Sequence, residues 1–187
     1  MRCSTAKKFI SSRGVGLRAL VAQYIEEHRP RAMREKGFFQ NMPSLDLAIH
    51  HAAFALDDRG PPKRYSHQCR IRLAPMRKAQ EFLLRSKSQL EALKTFDDLH
   101  GLLDGFMSKI PGLGALYTYD TALRLGFFLW LEPASVYLHA GTRRGARSLG
   151  IRASHVVKVR DLPPELQVLP PHEVENFLCI FKPSTEG

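Results

Sequence analysis

Phe96, Leu99, Leu103, Phe106 and Ile110 follow one another at alternating steps of three and four residues, the spacing that places all of them on one face of an α-helix. The run ends in Ile110-Pro-Gly-Leu-Gly114, which is too short for anything but a tight joint before the next helix. Helical spacing recurs in Leu17, Leu20, Val21, Tyr24 and Ile25, with Arg29-Pro30 expected to close that helix. It recurs again in Leu45, Ile49, Ala52, Ala53 and Leu56, with Ser44 as the expected N-cap. Ala79, Phe82, Leu83, Leu90 and Leu93 predict one helix from about Pro75 to Leu93. Val174, Phe177, Leu178 and Phe181 predict a closing helix after the turn-rich Pro163-Pro164 and Pro170-Pro171 steps. A period of two is confined to Val156-Val157-Lys158-Val159, too short to decide between strand and loop. The expected fold class is all-α.

The chain has 187 residues, 44% of them hydrophobic, enough for one domain, or one domain with an added subdomain. Its formal net charge of +10 attracts polyanions without any need for sequence complementarity, which makes nucleic acid the leading partner class. The surplus is local. Lys and Arg outnumber Asp and Glu by ten to two over Arg59–Lys94, by six to none over Thr142–Arg160 and by nine to three over Met1–Gly37. Thr95–Gly141 carries two against five, so the joint must draw its positive field from neighbouring elements or backbone dipoles. Cys3, Cys69 and Cys179 lie far apart and read as free thiols, and no metal or cofactor site is expected. Met1–Arg13 lacks the apolar stretch of a secretory signal and no apolar run reaches bilayer length. The expectation is no membrane partner and a bacterial-type cytoplasm or nucleoid.

Gly112 and Gly114 are expected to take positive φ, letting another backbone approach the N-terminus of the following helix, where unpaired N–H groups and the helix dipole suit a phosphate. Contacts of this kind position a nucleic acid and read little sequence. Ile110-Pro-Gly-Leu-Gly114 resembles the hairpin of helix-hairpin-helix proteins. Val136-Tyr-Leu-His-Ala-Gly-Thr-Arg-Arg-Gly-Ala-Arg-Ser-Leu-Gly150 resembles the segment that follows it in DNA glycosylases of the endonuclease III type. The likeness covers roughly Thr95–Ile151. It implies a glycosylase-like core over 95–151, within a helical bundle expected to be one domain over 1–187 with 1–58 as an N-terminal helical subdomain. It also implies duplex DNA as partner, bound through Pro111, Gly112, Leu113 and Gly114.

The family's chemistry does not carry over intact. Its bifunctional members have a lysine two residues after the second hairpin glycine, a position that falls on Leu116 here, and its aspartate position falls on His139. A leucine cannot form an imine and a histidine supplies no carboxylate. The family's cluster of four cysteines is absent, so no iron–sulfur centre is expected. Asp120, one turn after Leu116, offers a carboxylate on the same helix face, with His139 as its expected partner in one cleft and Tyr117 placed to meet an extruded base. Set against this, Asp120 and Arg124 have the spacing of an i,i+4 ion pair, and His139 can simply cap or pack.

Pro61-Pro-Lys-Arg-Tyr-Ser-His-Gln-Cys-Arg-Ile-Arg72 concentrates nucleic-acid contact types. Lys63, Arg64, Arg70 and Arg72 suit phosphates on the hairpin's side, and Tyr65 or His67 suit stacking on a base. A solvated basic loop is the plain alternative. Arg143, Arg144 and Arg147 are expected to form a positive surface with the hairpin. Three functions stay open at this point: a non-catalytic DNA-binding module, a monofunctional DNA glycosylase, and a protein-interaction module in which the hairpin is only architectural.

Overall fold

The computed structural model describes residues 16–58, 63–152 and 155–183. Cys3, Met1–Arg13 and the prolines 61 and 62 of the basic segment fall outside the described residues. The protein is mostly helical, with 63% helix and, among the described residues, one two-stranded sheet. The chain divides into two compact units, one formed by Met1–Ala32 with Ala134–Gly187 and the other by Met33–Pro133.

From the first unit, α1 (Leu17–Gln23) runs into a π-helical turn (Tyr24–His28) and then into α2 (Arg29–Gln40), whose residues from Met33 on belong to the second unit. The Arg29-Pro30 step therefore does not end the helix. Proline lacks an N–H and its ring crowds the preceding turn. The turn before Pro30 is widened, with the Arg29 N–H reaching back to the Tyr24 carbonyl, so the helix passes through the proline. β1 (Ser135–Tyr137) pairs antiparallel with β2 (Val156–Lys158), Val136 opposite Val157. The open Val156 segment is thus a strand, and its partner carries no periodic signature. Between them lies α8 (Ala140–Ser148), and α9 (Pro171–Ile180) closes the unit as the Val174 stripe predicts. The core gathers Leu20, Val21, Tyr24, Val136, Val174 and Phe177. Gly145 lets α8 press on α9, because a Cβ there would lie 2.2 Å from the Leu178 carbonyl oxygen.

The second unit holds α3 (Leu45–Phe54), α4 (Leu73–Arg85), α5 (Lys87–Ala92), α6 (Phe96–Met107) and α7 (Ala115–Leu129). Ser44 caps α3 by accepting from the Leu47 N–H at 3.3 Å, and Thr95 caps α6 by accepting from the Asp98 N–H at 3.1 Å. α7 packs on α3 and α6, and α3 packs on α4. Leu99 and Leu103 of the periodic run are fully buried, each at a position where truncation to Ala costs about 2–5 kcal/mol. Ala48, Ala52 and Ala53, also fully buried, keep α3 thin enough for its neighbours. The single helix expected over 75–93 is two, broken at Ser86. Serine is a weak helix former, and Ser86 instead caps α5 with its carbonyl, which accepts from the Leu90 N–H at 2.9 Å.

Candidate functional site

The joint between α6 and α7 is a turn from Ile110 to Leu113, closed by Leu113 N–H donating to the Ile110 carbonyl at 3.1 Å. Ile110 and Leu113 are buried and pin the turn to the core, which leaves Pro111 and Gly112 exposed at its tip. Proline sets the first central position and Gly112, at φ +94°, supplies the left-handed second one. The expectation for Gly114 fails. It has φ −100° and ψ 173°, the extended N-cap of α7, because a residue entering a helix is extended rather than left-handed.

Glycine has no side chain to cap α7, and the first intrahelical bond runs from Thr118 N–H to the Gly114 carbonyl. Among the described residues no backbone carbonyl accepts from the N–H groups of Ala115, Leu116 and Tyr117, which lie at the positive end of the helix dipole. α4 also starts without a side-chain cap, at Arg72, and its first turn borders the joint, since a Cβ on Gly112 would lie 3.8 Å from Pro75 Cγ.

Over residues 63–72 the basic segment is a folded loop, and its cations divide. Lys63, Arg70 and Arg72 are exposed. Arg64 is not available to a phosphate. Its Nη2 donates to the Gln68 carbonyl at 2.7 Å and the Ile71 carbonyl at 3.0 Å, and its Nη1 donates to the Cys69 carbonyl at 3.2 Å. The guanidinium fork satisfies loop carbonyls that no helix or sheet takes up. Tyr65, expected to stack on a base, is buried, and the Arg124 guanidinium lies over its ring. His67 remains half-exposed.

Asp120 receives this loop. Its Oδ2 lies 2.8 Å from His67 Nε2 and accepts from Gln68 Nε2 at 2.8 Å. Gln68, itself buried, turns its oxygen to Arg124, which donates from Nη1 at 2.8 Å. The i,i+4 ion pair of Asp120 with Arg124 does not form as a direct bond: Arg124 Nε donates to Glu35 at 2.9 Å. Burial works against the Arg124 charge, but Glu35 first and Asp120 next outweigh it and raise its pKa further. Nothing local in the sequence signals Glu35, which lies 89 residues from Arg124.

Tyr117 is corrected from a base-contacting residue to a core one. It is 1% exposed, and its hydroxyl donates to the Ala53 carbonyl at 2.6 Å, tying α7 to α3. Burial pushes the phenol up to about 12.

His139, in the first unit, is the N-cap of α8. Its backbone N–H donates to Thr142 Oγ1 at 2.8 Å, while its ring Nε2 is hydrogen-bonded to Glu175. Asp120 and His139 therefore have different partners, and a carboxylate does reach the His139 position, from α9. On α8, Arg144 and Arg147 are exposed and Arg143 is half-buried. These arginines belong to the first unit and the hairpin to the second.

Among the described residues no helix is long and apolar enough to cross a membrane. No family model, no curated protein and no solved structure matches the chain.

Proposed function

We propose that this protein binds the sugar-phosphate backbone of duplex DNA, with Ile110–Gly114 acting as a helix-hairpin-helix of the endonuclease III glycosylase type. The observation that carries the reading is the uncapped first turn of α7 behind an exposed tip with Gly112 in the left-handed region. Three aligned N–H donors at a dipole's positive end suit one phosphate. The exposed Lys63, Arg70 and Arg72 add phosphate contacts in the same unit, and the formal charge of +10 adds long-range attraction. Such contacts read backbone shape, so the binding has little base preference.

The test is duplex affinity of the full chain at two salt concentrations. Each phosphate neutralised contributes about −0.9 to the slope of log K against log salt. A slope near zero, or no binding, would remove the reading.

A second reading is favoured by Asp120, a carboxylate on α7 beyond the hairpin that keeps partial exposure while His67 and Gln68 hold it. In that reading the protein is a monofunctional glycosylase. With Leu116 at the lysine position no imine forms, so base release leaves an abasic site and an uncut strand.

A further inference from the structure

We propose that His67 is the general base of this site, with Asp120 as the carboxylate that orients it, and that His139 has no part in the proton transfer. The inference rests on the hairpin holding a nucleic-acid phosphate and deepens the glycosylase reading. A carboxylate can only accept, so His67 Nε2 carries the proton in its 2.8 Å bond to Asp120 Oδ2, and the lone pair is left on Nδ1. The His67 side chain is 46% exposed and that of Asp120 13%, so the bond is sheltered while the ring faces solvent.

The arrangement is braced from behind. Gln68 holds the same Asp120 oxygen at 2.8 Å and is itself held by Arg124. A nucleophile-activating imidazole needs this logic: one nitrogen fixed by a carboxylate, the other free for the proton of an attacking water. The groups facing the ring are Asp120 from α7 and Tyr65 from its own loop, 6.2 Å between centroids.

Position and charge select the bond. Asp120 lies six residues after Gly114, about 9 Å along the helix axis, too far for the phosphate held by the hairpin to be attacked yet within reach of the nucleoside attached to it. Attack on a phosphodiester accumulates negative charge, which Asp120 opposes. Departure of a base from C1′ builds positive charge, which Asp120 favours, while the charge of Arg124 is met by Glu35. In the reaction the C1′–N bond breaks and its electron pair leaves with the base, which is protonated from solvent. Water forms the C1′–O bond and its proton passes to His67 Nδ1, then to solvent.

The experiment uses the full chain and end-labelled duplexes carrying, one at a time, uracil, hypoxanthine, 8-oxoguanine or 3-methyladenine. Abasic sites are read by alkaline cleavage, and affinity is measured on the same duplexes. The expected result is base release from at least one duplex, with His67→Gln and Asp120→Asn each lowering the single-turnover rate about 100-fold or more. Affinity should stay within about twofold, and the acidic limb of the pH–rate profile should vanish in His67→Gln. His139→Gln should keep the rate and profile of the parent. Binding without base release from any of the four duplexes, or a fully active His67→Gln, overturns the assignment and leaves the DNA-binding reading standing. Failure to bind any duplex overturns that reading instead.

Discussion

The guanidinium carbon of Arg124 sits 4.0 Å above the centroid of the Tyr65 ring, and the arginine side chain is 2% exposed. A charge so deeply placed persists because Glu35, Gln68 and the ring face replace the water it has lost. The same network anchors the loop that carries His67.

Arg124→Ala should therefore destabilise the protein by about 3–5 kcal/mol, since Glu35 loses its partner and Gln68 and Tyr65 lose their support. Urea denaturation measures this directly. A loss below about 1 kcal/mol would mean that the network is screened by solvent and does not hold the loop.

The two hairpin glycines should behave differently. At Gly114 a Cβ meets nothing within 4 Å and the backbone is extended, so Gly114→Val should fold like the parent. The new side chain stands where a phosphate would approach, and duplex affinity should fall about tenfold or more. Gly112→Ala instead forces a side chain into φ +94° and should cost about 1 kcal/mol of stability. Parent-like affinity for Gly114→Val would exclude the N-terminus of α7 from the interface.

What is legible in the sequence is local. The Ser44 cap, the Phe96, Leu99 and Leu103 stripe and the tight turn after it depend on residues within a turn or two of one another, and period and capping chemistry record such neighbours. The same period overruns at Ile110, which lies past the end of α6 at Met107. Pro30 misleads because its effect depends on the turn before it, which widens. Arg64 reads as a free cation because composition does not show which carbonyls a guanidinium will meet. The partner of Asp120 is 53 residues away on a loop without periodicity, so the likeness to a family suggests His139 in its place. At Gly114 the residue type shows only that positive φ is possible, and the chain path decides whether it is used.

The loop cations should separate into binding and structural groups. Replacing Lys63 and Arg70 by Ala should reduce the steepness of the log K against log salt plot by roughly 2, about 0.9 for each phosphate no longer neutralised, with little change in stability. Arg64→Ala should do the reverse. The carbonyls of Gln68, Cys69 and Ile71 lose their donor, which costs about 1–3 kcal/mol, and the salt slope changes only as far as the loop unfolds. An unchanged slope in the Lys63, Arg70 double variant would make the loop a bystander to binding.

His51 and His100 predict the response of the fold to acid. Burial lowers the pKa of His51, with His50 adding to the effect, and burial lowers that of His100 against the opposing pull of Asp104 and Asp97. Both imidazoles thus take up a proton less readily in the folded state than in the unfolded chain, where they protonate near the ordinary value of 6.5. Above that pH both states carry neutral rings and the contribution to stability is complete. As the pH falls below 6.5 the unfolded chain binds protons that the folded one refuses, and stability drops until the depressed folded-state values are reached. Urea midpoints measured between about pH 8 and pH 5 should therefore decline on the acid side, and His51→Gln and His100→Gln, which cannot take up a proton, should each flatten part of that decline. If both variants lose stability with acid as steeply as the parent, the acid response arises in other groups.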